Sequence, residues 1–281
     1  MSTVINTNMQ SVIARDALKL NGRAMADAME QLSTGKRINS ASDDAAGLAI
    51  SESIRAQIRG ITQAERNAQD GISMIQVGEG ALSQIANILI RMRELAVQAA
   101  SDTVGQNERR FIDVEYRQSL EEIDRIANGT EYNGVRLLNG TAPAFEIQIG
   151  TRNNPLIDRV RLFDATSTDS NVAALGINLT STEDKLSAQN SLGALDSALA
   201  QVNQTRAEFG AVQNRLQAAI NNIMVSRENL SAANSRIRDT DLAEEVSDLT
   251  KNQILTQAGV SVLAQANSAM RSTLSLLGGN A

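Results

Sequence analysis

Residues 195–237 read LDSALAQVNQTRAEFGAVQNRLQAAINNIMVSRENLSAANSRI. Within this stretch Leu195, Val202, Phe209, Leu216, Ile223, Leu230 and Ile237 recur every seven residues without a miss. Such a repeat is the seam of a helix packed lengthwise on its neighbours. The companion positions, Leu192, Leu199, Arg206, Gln213, Ile220, Arg227 and Asn234, are half polar. Polar residues there lower stability while fixing register or partner choice. The only prolines are Pro143 and Pro155, in the middle of the chain, so nothing breaks a helix over residues 186–238. At ~1.5 Å per residue that helix is roughly 80 Å long, which suits a long bundle better than a compact globule.

Upstream, Ser42-Asp43-Asp44 reads as an N-cap. From Ile54 a 4,3 ladder runs through Ala68, Ile75, Leu82 and Leu89 to Ala100, with eleven of its fourteen positions apolar. Its companions include Ile72, Glu79, Ala86 and Arg93. Gly71, Gly78 and Gly80 cost propensity in this helix and allow close packing or a bend. A shorter helix is expected over about residues 107–126, with Phe111, Ile112, Tyr116, Leu120 and Ile123 as its apolar positions. Asn128-Gly129 and Asn133-Gly134 are turn signals that end it. Phe145, Ile147 and Ile149, then Val160 and Leu162, alternate with polar residues around the turn-former 151–155, which predicts a β-hairpin.

Both ends carry amphipathic stripes. The first includes Ile5, Met9, Ile13, Leu20 and Met29; the last includes Val260, Leu263, Met270, Leu274 and Leu277. Neither buries its stripe alone, so each needs a partner. Residues 1–40 carry five basic and three acidic side chains, and residues 241–281 carry two and four, a complementary bias that supports their pairing weakly. The expected architecture is mainly α: a long coiled-coil-like bundle over residues 43–239, with a small β-region at about 141–175, plus a terminal helix pair from residues 1–42 and 240–281.

Composition narrows function. The chain has no His and no Cys, which removes His-based triads, cysteine nucleophiles, His or Cys zinc sites and disulfides. Gly35-Lys36 lacks the glycine spacing of a phosphate loop. Asp43-Asp44, Glu121-Glu122 and Glu244-Glu245 are sequence neighbours that do not face one another on a helix. No catalytic, cofactor or metal site is expected. The net charge of −6 with no basic patch argues against nucleic acid. The uncharged stretch 252–270 holds Asn252, Gln253, Gln257, Gln265 and Asn267, which argues against membrane insertion. The first residues lack a basic segment followed by an apolar one, so no cleaved signal peptide is expected.

Several long motifs resemble the flagellin family. They are Ile5-Asn6-Thr7-Asn8; residues 32–50, LSTGKRINSASDDAAGLAI; residues 66–73, RNAQDGIS; residues 93–98, RELAVQ; and, near the other end, 210–216, GAVQNRL, 235–239, SRIRD, and 263–267, LAQAN. The resemblance covers about residues 1–140 and 175–281. It implies a structural subunit of the flagellar filament, acting in swimming motility, with terminal helices forming an inner domain and a helical rod with a β-hairpin forming the outer tube. Only about 35 residues separate Gly140 from Leu175, so the variable outer domains of longer members are expected to be absent. The His-Glu-x-x-His of enzymatic members has no counterpart here. The alternative within this resemblance is the hook–filament junction protein, which shares the terminal helices.

The same resemblance implies partners: copies of itself, filament cap and hook-junction proteins, and the flagellar type III export apparatus, which delivers the chain to an extracellular filament. It implies an export chaperone on the helix bearing Val260, Leu263, Met270, Leu274 and Leu277. It also implies recognition by Toll-like receptor 5 through Arg91, Leu95 and Glu115.

Overall fold

The computed structural model describes residues 7–141, 144–163 and 168–278, with side chains through Ser272. Among these, the order of elements is α1 (Met9–Thr34), α2 (Ala45–Ala99), α3 (Gln106–Gly129), β1 (Glu131–Tyr132), β2 (Val135–Arg136), β3 (Phe145–Gln148), β4 (Arg159–Phe163), α4 (Lys185–Arg238) and α5 (Leu242–Gly278). The fold is mainly α with two small antiparallel strand pairs. Contacts divide the chain into two compact units, Met1–Ala56 with Asn229–Ala281, and Gln57–Glu228; the division falls inside α2 and α4.

In the second unit α2 and α4 run antiparallel, as the cross-helix ion pairs Arg93–Asp196 (2.7 Å) and Glu65–Arg227 require. Leu195, Val202, Phe209, Leu216 and Ile223 all lie in the core; Leu230 and Ile237, in the other unit, are half-buried. The companion line departs from the expectation. Over the first half of α4 the buried companions are Ser191, Ala198, Thr205 and Val212, while Leu192, Leu199, Arg206 and Gln213 are half-buried. On α2 the expected companion Ala86 is buried, but Gly71, Gly78, Ile85, Met92 and Ala99, each one residue before an expected position, are buried too, and Arg93 is exposed. At the two glycines the α2 backbone lies directly against facing side chains: a Cβ on Gly78 would stand 2.7 Å from the Phe209 ring, and one on Gly71 would stand 3.1 Å from Ile147 and 3.3 Å from Leu216. From Phe209 the buried steps run 212, 216, 220, 223. The eleven residues to Ile220 locally unwind the seven-residue pattern, and Ile220 then takes the companion place the repeat predicts.

Strand β3 pairs with β4, Phe145 opposite Phe163 and Gln148 opposite Arg159. The hairpin is stacked on α4 through a row of rings, Phe145–Phe163 at 5.3 Å and Phe163–Phe209 at 5.2 Å. Asn133 (φ 50°) and Gly134 (φ 76°) do more than stop a helix. They are the two central residues of a tight turn joining β1 to β2, a pairing the sequence reading does not include. Both positive φ values fit a mirror-type hairpin turn, where Asn-Gly is the favoured pair. On α3 Ile112, Tyr116, Ile123 and Ala127 are buried, but Phe111 faces solvent. Asp113 ties α3 to the chain before α4: its carboxylate accepts from Thr182 N (2.9 Å), Ser181 Oγ (3.0 Å) and Arg117 Nε (2.6 Å).

In the first unit Asn8 caps α1 by accepting from Ser11 N (3.1 Å) and donates through Nδ2 to Ala266 O on α5 (3.0 Å). Gly35 ends α1 in the left-handed region at φ 67°. The chain then meets the end of α4: Arg37 N donates to Arg238 O (2.7 Å) and Lys36 bridges Asp239. Asp44 starts α2 by accepting from Gly47 N (2.9 Å), and Asp241 starts α5 by accepting from Ala243 N (2.9 Å).

Candidate assembly surface

Helices α1 and α5 pack on each other through small side chains. Ala14 and Ala28 of α1 and Ala266 of α5 are buried. Gly259 lets Leu18 approach so closely that a Cβ there would lie 2.8 Å from its methyl group. Thr256, Leu263 and Met270 are half-buried along the same line. The larger apolar residues point elsewhere: Met9, Ile13, Leu20, Met29, Ile254, Leu255, Val260 and Val262 are all more than 40% exposed. A groove of about 620 Å³ runs between the helices, lined by Ile13, Ala14, Ala17, Leu255, Val262 and Ala266 among others. A pair that buries alanines while presenting isoleucine, leucine and valine to water holds together weakly and offers an apolar surface to something else.

The expected chaperone stripe is therefore divided. Val260 is exposed and Leu263 and Met270 are half-buried; the side chains of Leu274 and Leu277 lie outside the described residues. Leu255 and Val262, seven apart, form a second stripe that the sequence reading omits. The complementary charge of the two ends makes no ion pair between α1 and α5 among the described residues. Nor does any group of three or more metal-binding side chains occur among them, nor any helix long and apolar enough to cross a membrane.

The three residues implied in receptor recognition sit differently from one another. Arg91 and Glu115 are exposed and joined across α2 and α3, with the Arg91 Nε and Nη2 donating to Glu115 Oε1 at 3.0 and 2.9 Å. Arg91 Nη1 also donates to Glu94 Oε2 at 3.1 Å. Glu115 first, then Glu94, raise the Arg91 pKa above its ordinary value, so its charge is fixed at any physiological pH. Leu95, one turn along, is only 2% exposed. It belongs to the core beneath the pair and shares no surface with it, lying on the buried face of α2 with Met92, Ala96 and Ala99.

Two family models match the chain, the bacterial flagellin N-terminal helical region over residues 5–142 and the bacterial flagellin C-terminal helical region over residues 192–277. The flagellin of Halalkalibacterium halodurans is 43% identical over 274 residues, covering 98% of this chain and 99% of its own length. The flagellar filament 33 kDa core protein of Treponema phagedenis is 42% identical over 290 residues, again covering 98% and 99%. The crystal structure of Bacillus cereus flagellin is 36% identical and superposes with a TM-score of 0.51, covering 60% of this chain and 94% of that one.

Proposed function

The chain belongs to the bacterial flagellin family and is a structural subunit of the flagellar filament, and from that premise we propose that the α1–α5 pair drives its polymerisation. One observation carries the proposal: Met9, Ile13, Leu20, Met29, Ile254, Leu255, Val260 and Val262 face outward, while the fully buried side chains of the pair's own interface are alanines and the larger Leu18, Leu263 and Met270 are only half-buried there. Burying each such side chain against another copy yields about 1.5–3 kcal/mol, and a head-to-tail interface that does not close on itself repeats without limit. Residues 1–42 with 240–281 then form the inner layer of the filament, and residues 43–239, with their β-region at about 141–175, the outer one. The relatives described above are a flagellin and a filament core protein, which weighs against the junction-protein reading.

The test is Ile13→Asp combined with Val262→Asp. Both sites are exposed, so the monomer's circular dichroism should be unchanged, while sedimentation and electron microscopy should find no filaments under conditions where the unmodified chain forms them. Normal filaments from the variant would reject the assignment.

The same surface supports the remaining steps. Before assembly an export chaperone covers the α5 stripe of Val260, Leu263, Met270, Leu274 and Leu277, and the chain leaves through the flagellar type III apparatus to an extracellular filament bounded by cap and hook-junction proteins. Removing residues 250–281 should abolish chaperone binding; unchanged binding rules this out. Shed monomers expose Arg91 and Glu115 to Toll-like receptor 5, with Leu95 supporting them from below. In a reporter-cell assay an Arg91→Ala, Glu115→Ala double variant should lose its signal, and a full signal rejects the site.

A further inference from the structure

The chain holds no Cys, His or Trp but eight methionines, so thioether sulfur is the group in it that two-electron oxidants attack most readily. The fold sorts these sulfurs by access. Met74 and Met92 are buried in the core of the second unit, and Met25 and Met270 are half-buried. Met9 and Met29 of α1 are 58% and 51% exposed, and Met224 of α4 is 46% exposed. Oxidation follows access, so these last three stand open to it while Met74 and Met92 do not.

Two of the three lie on the pair assigned to assembly. Met9 is the first residue of α1. It shares a helix face with Ile13, four residues on, and Ile13 lines the groove between α1 and α5. Asn8 anchors this end of α1, accepting from Ser11 N and donating to Ala266 O on α5, so Met9 is held beside the pair. At ~3.6 residues per turn, Met29 falls on the other flank of the buried Ala14 and Ala28 line from Met9. A copy approaching α1 from either flank therefore meets a thioether. The rest of the outward surface, Ile13, Leu20, Ile254, Leu255 and Val262, is aliphatic and has no oxidisable atom. Met224 belongs to the second unit.

We propose that Met9 and Met29 are an oxidation-sensitive control on assembly, through which a hydroperoxide holds the chain as monomer. This rests on the polymer reading above and adds its regulation. The sulfur attacks one peroxide oxygen: an S–O bond forms as the O–O bond breaks, and the proton of the transferred oxygen passes to the departing hydroxide or alkoxide, which leaves as water or alcohol. Sulfur loses two electrons and the peroxide gains them. The product, methionine sulfoxide, puts a polar group where a flexible apolar one stood. In the monomer that group is hydrated and the fold keeps its shape. In a contact with another copy it loses its water, and burying a polar group without a partner is unfavourable. Sulfoxide is reduced back to the thioether by methionine sulfoxide reductases, so the block is reversible.

The test treats full-length monomer with dilute hydrogen peroxide, destroys the excess with catalase, and reads each methionine's oxygen uptake by peptide mass spectrometry. Met9, Met29 and Met224 should oxidise well before Met74 and Met92, with circular dichroism unchanged. The critical concentration for assembly, read by sedimentation, should rise at least about tenfold and return after treatment with methionine sulfoxide reductase. A Met9→Leu, Met29→Leu chain, which keeps Met224, should assemble like the unmodified chain and lose nothing to peroxide. An unchanged critical concentration once Met9 and Met29 are oxidised overturns the proposal, and so does an equal loss in the double variant. A footprint that needs no substitution gives a second reading: in preformed filaments Met9 and Met29 should take up oxygen far more slowly than in the monomer, and equal rates overturn the proposal. Assembly that ignores peroxide but is lost in the Ile13→Asp, Val262→Asp variant overturns this proposal and leaves the polymer reading standing. Filaments formed by that variant overturn both.

Discussion

Gly78 and Gly80 stand two residues apart on α2 and differ in what surrounds them. At Gly78 a Cβ would lie 2.7 Å from a buried Phe209 ring, and at Gly80 it would meet nothing within 4 Å. Alanine gains up to about 1 kcal/mol of helix propensity at either site, but overpacking at Gly78 costs about 1–3 kcal/mol. Gly80→Ala should therefore raise the melting temperature and Gly78→Ala should lower it, as calorimetry of the two variants would show. The same scale holds the buried Asp113. Burial pushes its pKa up, but the Thr182 N–H, the Arg117 guanidinium and the Ser181 hydroxyl outweigh it, leaving the group below the usual carboxylate value. A depressed carboxyl contributes stability above its unfolded pKa and loses it as pH falls through the folded one. Asp113→Asn should cost about 1–3 kcal/mol at neutral pH and flatten the acid side of the stability curve in denaturant titrations. A variant with the same acid dependence as the unmodified chain would mean that Asp113 does not hold the joint between α3 and the residues before α4.

At the scale of the element, one line of each helix seam is legible in the sequence and much of the other is not. Ala68, Ile75, Leu82 and Leu89 on α2, and Leu195 to Ile223 on α4, announce themselves by hydrophobicity. Their companions include Gly71 and Gly78, Ser191 and Ala198, and, on α5, Gly259 and Ala266. The glycines are small because a large facing side chain, Leu216, Phe209 or Leu18, fills the space a Cβ would need, and hydrophobicity alone points past such positions to the larger neighbour one residue later, Ile72, Leu192 or Val260. A periodic line of small residues was the available signal. The β1–β2 pair escapes for another reason: two-residue strands have no alternation to read, and only Asn133-Gly134 betrays them. Gly134→Ala forces a left-handed backbone on a residue with a Cβ, at about 1–2 kcal/mol. It should lower the melting temperature by a few degrees and disturb the amide resonances of residues 130–137; unperturbed spectra would show that this turn does not need its glycine. Of the candidate surface, the apolar stripes were legible and the burial of Leu95 was not, because a spacing of four from the exposed Arg91 does not show that Leu95 falls on the buried face with Met92, Ala96 and Ala99.

For the whole molecule, the two units differ in how much they bury. The second has a continuous core of leucine, isoleucine, methionine and aromatic side chains, whereas the α1–α5 pair fully buries only alanines and leaves most of its large aliphatics in water. Local stability follows such differences, and a surface completed only by other copies gains its protection when they arrive. Hydrogen exchange on the same preparation before and after polymerisation measures this directly. Amides of residues 9–34 and 242–272 should exchange quickly in the monomer, well before those of residues 68–99, and become strongly protected in the filament. Strong protection of α1 and α5 already present in the monomer, or no gain on assembly, would contradict it.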